Sequence, residues 1–181
     1  MVTRREPLSV GFAPIAAADA RVLILGSLPG RTSLAMQQYY AQPHNAFWKI
    51  MGRIFGATQD LPYERRLELL RANRVAVWDV LAAGERVGSL DSAIVHSSAV
   101  INDFRGFFAK HSDIRSICFN GGTAAALYRR RVLPGLPMRA AALHTAVLPS
   151  TSPAHAARTF AQKLELWSAA LESAVARKRS P

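Results

Sequence analysis

The sequence has one cysteine, Cys118, in 181 residues. It therefore has no intramolecular disulfide and too few thiolates for a cysteine-held iron–sulfur cluster. Cys118 stands in the apolar run Ile117-Cys118-Phe119, where a thiol serves as a small buried hydrophobe. No apolar run approaches the roughly 18 residues that a membrane-spanning helix needs. The first twenty residues start basic but hold no continuous hydrophobic segment, which argues against a signal peptide. No group of His, Cys, Asp and Glu has the spacing of a metal site, so neither a metal nor another cofactor is expected. Internal repeats, low-complexity blocks and linkers are also missing. Acidic side chains are scarce, 12 against 23 lysines and arginines.

What is present is an ordinary apolar share, 50%, in a chain long enough for one domain with a sizeable core. We expect a single domain over residues 1–181, with 1–10 and 176–181 flexible. The net charge of +11 and the isoelectric point of about 11.0 favour a polyanionic partner, nucleic acid or an anionic membrane surface. Of the basic residues, 19 are Arg and 4 are Lys. Arginine suits bidentate phosphate contacts; a GC-rich coding bias would leave the same imprint.

The apolar run 22–25 stops at Gly26 and reads as a buried strand. Pro29-Gly30 turns the chain, and a long polar and aromatic loop follows. A helix begins near Asn45, with Phe47, Ile50, Met51 and Ile54 on one face. A second begins at Asp60 or Leu61, with Leu67 and Leu70 inward and Arg65, Arg66 and Glu68 outward. Residues 74–80 read as a strand, and 82–98 mostly as loop. Asn102 or Asp103 could cap a short helix through Phe107 and Phe108. Another strand, 114–119, ends at Asn120-Gly121-Gly122, which opens a helix to Arg131. The last strand is 143–148. The last helix starts at Pro153 and buries Phe160, Leu164, Trp167 and Leu171. Residues 1–20 look like a loose lead-in, and 177–180 like a basic tail. Strand and helix thus alternate four times, which argues for a parallel sheet covered by helices on both faces. Four strand ends, near Gly26, Asp79, Asn120 and Pro149, then converge on one pocket.

Three segments, GSLPG (26–30), YYAQPHNAFW (39–48) and LPSTSPAHA (148–156), resemble the uracil-DNA glycosylase superfamily, above all its hypoxanthine (deoxyinosine) branch. The likeness covers residues 11–167. It implies a three-layer α/β/α sandwich around a four-stranded, mostly parallel sheet. It also implies a monofunctional glycosylase that flips a deaminated base out of DNA and hydrolyses its N-glycosidic bond, with hypoxanthine preferred over uracil or xanthine. Such a protein needs DNA as its partner and no membrane. We expect a cytoplasmic monomer, associated with the nucleoid when acting on DNA. No lysine stands in the four strand-end loops to form a Schiff base, which favours plain hydrolysis.

The chain departs from the superfamily in ways that matter. Most branches place Asp or Asn third in the strand-end motif to hold the attacking water; here Leu28 stands there. Some branches hold a four-cysteine cluster, which this chain cannot. Leu148 replaces a His that opens the later motif in other branches. In the hypoxanthine branch the water belongs to an Asn in the second segment, which is Asn45 here. Its amide carbonyl would position the water, with most of the catalysis left to positioning and leaving-group stabilisation. Asn45 could equally cap the helix it begins, and both roles are compatible.

The resemblance assigns the base site to Gly26, Ser27, Leu28, Tyr40, Asp79 and Asn120. Of the two tyrosines, Tyr40 is our choice for the stacking platform, and Tyr39 for packing. Gly30, His44, Ser150, Thr151, Ser152 and His155 are the expected DNA contacts, with the serine-rich loop beside a helix N-terminus that favours phosphate. Each has a plainer reading as turn, cap or solvated side chain. Ser89 and Asp91 could support the site from behind. Two other functions stay open on sequence alone: a nucleic-acid-binding member of the same fold that has lost catalysis, and a nucleotide-binding enzyme. The missing G-x-x-x-x-G-K-[ST] pattern counts against the second.

Overall fold

The computed structural model describes residues 8–176. The expected basic tail lies outside them. The main sheet is built from β2 (Val22–Gly26), β3 (Val75–Asp79), β6 (Ser116–Asn120) and β7 (His144–Leu148) in the order β3-β2-β6-β7. All three pairings are parallel. Strands β2, β3 and β6 are largely apolar and wholly buried, as a sheet covered on both faces requires. Strand β7 is an edge and is largely exposed.

A small antiparallel sheet, β1-β4-β5, joins Ser9–Val10, Leu81–Gly84 and Val100–Ile101. This corrects two expectations. The region 82–98 holds a strand, and the lead-in is not loose from residue 8 onward. Gly11 N donates to Ala82 O at 2.8 Å, and Ile15 exchanges hydrogen bonds with Val77 at 2.8 and 2.9 Å. The Leu-Ala-Ala-Gly sequence of β4 lacks β-branched residues, so propensity could not reveal it.

Among the described residues the α-helices are seven: α1 (Arg31–Met36), α2 (Phe47–Phe55), α3 (Tyr63–Ala72), α4 (Phe104–Lys110), α5 (Gly122–Leu127), α6 (Met138–Ala141) and α7 (Phe160–Ala176). Helix α1 lies inside what reads as a loop. Asp103 caps α4 by accepting from Gly106 N, and a π-helical turn, Tyr128–Val132, follows α5. The last helix starts seven residues later than Pro153 suggests. Thr159 Oγ1 accepts from Gln162 N while Gln162 Oε1 accepts from Thr159 N. That reciprocal capping box fixes the start at Phe160. Phe160 is exposed; Lys163, Trp167, Leu171 and Ala174 form the buried stripe.

Side chains alternate across a strand, and the register sorts them. Leu25 pairs with Trp78 on one side and Phe119 on the other, so these three face the same layer. There Phe104 meets Trp78 at 5.1 Å and Tyr128 at 5.5 Å between centroids. The next residue of each strand, Gly26, Asp79 and Asn120, faces the opposite layer. That layer holds α2 and α7, where Phe47 meets Trp167 at 6.3 Å. The alternation thus places three expected site residues in one row at the carboxyl end of the sheet. Among the described residues, no helix is long and apolar enough to cross a membrane.

Candidate active site

The turn after β2 is held from inside by charge. Arg86, only 3% exposed, donates through Nη1 to Leu28 O at 3.1 Å and through Nη2 to Pro29 O. Its guanidinium pairs with Asp91 at 3.8 Å. Asp91 in turn accepts from Ser27 Oγ at 2.5 Å. Val80 N and Leu81 N donate to Gly26 O and Ser27 O at 2.9 and 3.0 Å. These bonds bear on the base contacts expected of Ser27, through its backbone, and of Leu28. The Ser27 hydroxyl is committed to Asp91. The Leu28 side chain is buried and reaches 3.7 Å from where a Cβ on Gly84 would stand. Only their backbones remain for the pocket. Gly30 opens α1, whose first amide, Arg31 N, donates to Ser89 Oγ at 3.2 Å.

The second segment supplies the aromatic side. Tyr39 is packing: it donates to Ala13 O at 3.2 Å, and its backbone is held by Tyr63 and Trp48. Tyr40 is half-exposed, and its ring stacks on Phe47 at 3.9 Å between centroids. Its backbone is left-handed, φ +53°. That costs a non-glycine residue roughly 1–2 kcal/mol, and such strain gathers at functional positions. The Tyr40 hydroxyl is buried without a hydrogen-bond partner among the described residues. Burial and then the Asp79 carboxyl hold its pKa far above the ordinary phenol value.

Asn45 is half-buried, and its Oδ1 accepts from Phe47 N at 2.9 Å. One oxygen lone pair thus caps the helix; the second remains available to a water. His44 is exposed.

The third segment is held by a neutral side chain. Asn120 Nδ2 donates to Thr151 Oγ1 at 2.9 Å, and Thr151 N donates to Asn120 Oδ1 at 2.8 Å. Thr151 O accepts from Ala46 N at 2.9 Å. Thr151 is 1% exposed, so the expectation that it grips phosphate is corrected. It latches β6, the serine loop and the segment carrying Asn45 to one another. Asn120 keeps one N–H and one lone pair beyond this latch. Ser150 Oγ and Ser152 Oγ accept from Ser152 N and Ala154 N at 3.2 and 3.3 Å, and both residues are half-buried at the surface. Because α7 starts at Phe160, these serines do not sit at a helix N-terminus. Gly121 must be glycine: its φ is +99°, and a Cβ would come within 3.1 Å of Ser150 Cβ.

Sequence reasoning missed Arg86, whose charge in a Ser- and Gly-rich stretch reads as solvated. It also missed Lys163, buried at 6% exposure, whose Nζ donates to His155 O at 2.8 Å. Lys163 lies in the i, i+4, i+8 stripe with Trp167 and Leu171, the one sign that could have found it. His155 itself is half-buried. Cys118 is a core thiol, and burial pushes its pKa up to about 12.

A parallel sheet with a carboxyl, an amide and a serine loop at its strand ends, and a strained tyrosine and Asn45 beside them, is an α/β framework with its polar groups gathered at the carboxyl end of the sheet. The uracil DNA glycosylase superfamily model matches residues 13–173, and the chain belongs to that superfamily. A hypoxanthine DNA glycosylase from Methanosarcina acetivorans is 40% identical over 156 residues, 86% of this chain and 92% of that one. One from Methanosarcina barkeri is 39% identical over 112 residues, 61% of this chain and 70% of that one. A solution structure of a candidate uracil DNA glycosylase from M. acetivorans superposes with a TM-score of 0.72. It is 36% identical and covers 92% of this chain and 99% of its own.

Proposed function

We propose that this protein is a monofunctional DNA repair glycosylase that removes a deaminated base from DNA, hypoxanthine first, and leaves an abasic site. The observation that carries the reading is the Thr151 latch. It ties the segment carrying Asn45 and the serine loop, distant in sequence, to the end of β6 at the carboxyl end of the sheet. The named relatives point to the same lesion.

In this reading the nucleotide is flipped from the duplex and its base is brought to the row Asp79, Gly26, Asn120, with the Tyr40 ring as its stacking platform. Asn45 Oδ1, beside its capping bond, accepts from a water aimed at C1′. The reaction passes through an oxocarbenium-like sugar. An amide is a weak base, so its contribution is orientation. Ser150 and Ser152, with Gly30, His44 and His155 around them, meet the DNA backbone. The surplus of arginine supplies the salt-sensitive attraction. The protein works as one domain and as a monomer, on DNA in the cytoplasm.

The test is product formation on duplexes that differ only in one base: hypoxanthine, uracil, xanthine or none damaged. Chelator is present, and abasic sites are cleaved with alkali. Asn45→Ala should lose at least about a hundredfold in rate while still binding DNA. Binding with no base released by the native protein would refute the reading. Sodium borohydride should trap no covalent adduct, since Lys163 is buried and donates to His155 O.

A further inference from the structure

One acidic group at the strand ends has no role in holding the fold. Asp79 is 4% exposed. Its main-chain oxygen accepts from Asn102 Nδ2 at 2.9 Å, but its carboxyl Oδ2 has no hydrogen-bond partner among the described residues. A buried polar atom left unmatched is unfavourable and calls for a ligand or another explanation. The other oxygen, Oδ1, lies 2.4 Å from the point where a Cβ on Gly26 would stand, and Tyr40 Oη lies 3.1 Å from that same point. The absence of a side chain at Gly26 therefore lets the Asp79 carboxyl and the Tyr40 phenol come together against its Cα. Asn120, the other polar group of the row, turns both amide atoms to Thr151 and keeps one N–H and one lone pair beyond that latch. The charged groups that act on Asp79 are Asp91 and Arg86; Arg86 turns Nη1 and Nη2 to the Leu28 and Pro29 carbonyls and to Asp91, while its buried Nε makes no hydrogen bond among the described residues, to Asp79 or to any other group.

We propose that the Asp79 carboxylate accepts the ring N–H beside the keto group of a flipped deaminated base, N1–H in hypoxanthine, and so separates the lesion from the base it came from. This rests on the glycosylase reading above. Hypoxanthine and uracil both carry that N–H next to a carbonyl. Adenine and cytosine carry a bare ring-nitrogen lone pair at the same place. Above the raised pKa of about 7 the ionised carboxylate facing a lone pair is repelled and stays unmatched, and a site built for a donor rejects the analogue that lacks it. Guanine and thymine keep the N–H, so this contact does not act against them.

The experiment is single-turnover excision by the native protein and Asp79→Asn. The paired substrates are hypoxanthine and unsubstituted purine, which is the same ring without the 6-oxo group and the N1–H. The ratio of the two preferences cancels both the intrinsic leaving ability and any loss of folded enzyme. We expect the preference for hypoxanthine to fall at least about tenfold in the variant, because its amide can turn a donor toward N1. A second arm needs no variant. The native enzyme should refuse 1-methylhypoxanthine, which keeps the keto group and loses the N–H. An unchanged ratio, or efficient release of 1-methylhypoxanthine, overturns the inference and leaves the glycosylase reading standing. A native protein that releases no deaminated base brings down both.

Discussion

The two halves of the pocket are held by different physics. The turn after β2 hangs on charge: a buried guanidinium reaches two backbone carbonyls and a carboxylate, with a second buried carboxyl alongside. The loop after β7 hangs on neutral groups, the Asn120 amide and Thr151, with Trp167 Nε1 donating to Pro149 O at 3.0 Å. Charged networks in the interior are strong when complete and very costly when broken. Neutral latches are modest and indifferent to pH. One half of the pocket is therefore sensitive to protonation and the other is not.

The largest effect that separates the halves comes from Arg86→Met. It strands the Leu28 and Pro29 carbonyls and leaves Asp91 without its cation. We expect a loss of about 3–5 kcal/mol of stability in urea denaturation, and a loss below about 1 kcal/mol would show that charge does not hold that turn. Asp79→Asn comes next, with the opposite sign. Burial first, then the like charge of Asp91, push the Asp79 pKa up to about 7. The folded state therefore holds that proton more tightly than the unfolded one. The native protein should lose stability as pH rises from about 4 to about 7 and change little from this group above that. The variant lacks that loss, so its advantage grows across the same window to at most about 4 kcal/mol. Melting curves between those pH values test this, and a constant gap would contradict it.

Thr151→Val removes the hydroxyl that receives Asn120. It should cost about 1–2 kcal/mol by the same amount at pH 5 and pH 8; a pH-dependent cost would erase the contrast between the halves. Ser152→Ala should change stability by no more than about 0.5 kcal/mol yet weaken DNA binding in a salt titration. Equal affinity would remove Ser152 from the DNA surface.

Much of the layout was legible from pattern alone. The buried strand 22–25, the Leu67 and Leu70 face and the Asp103 cap are local signals, and the structure has them all. The row Gly26, Asp79, Asn120 followed from strand ends in a parallel sheet. Burial was not legible where a residue type misleads. Arg86, Thr151 and Lys163 look like surface residues, and only the packing around them makes them interior. The partner of the Ser27 hydroxyl, Asp91, stands 64 positions away, a pairing that no local pattern announces. The late start of α7 was hidden because Pro153 and Thr159 both offer a start signal, and only Thr159 has Gln three residues on.

The backbone hydrogen bond from Ala46 N to Thr151 O makes the serine loop and the segment carrying Asn45, our proposed DNA grip and water holder, parts of one piece. Neither can be exchanged alone. A loop grafted from another superfamily member would arrive with its own spacing and drag Asn45 with it. Engineering of substrate range in this chain should therefore leave 148–152 and 45–47 as one inherited module and vary the strand-end row instead.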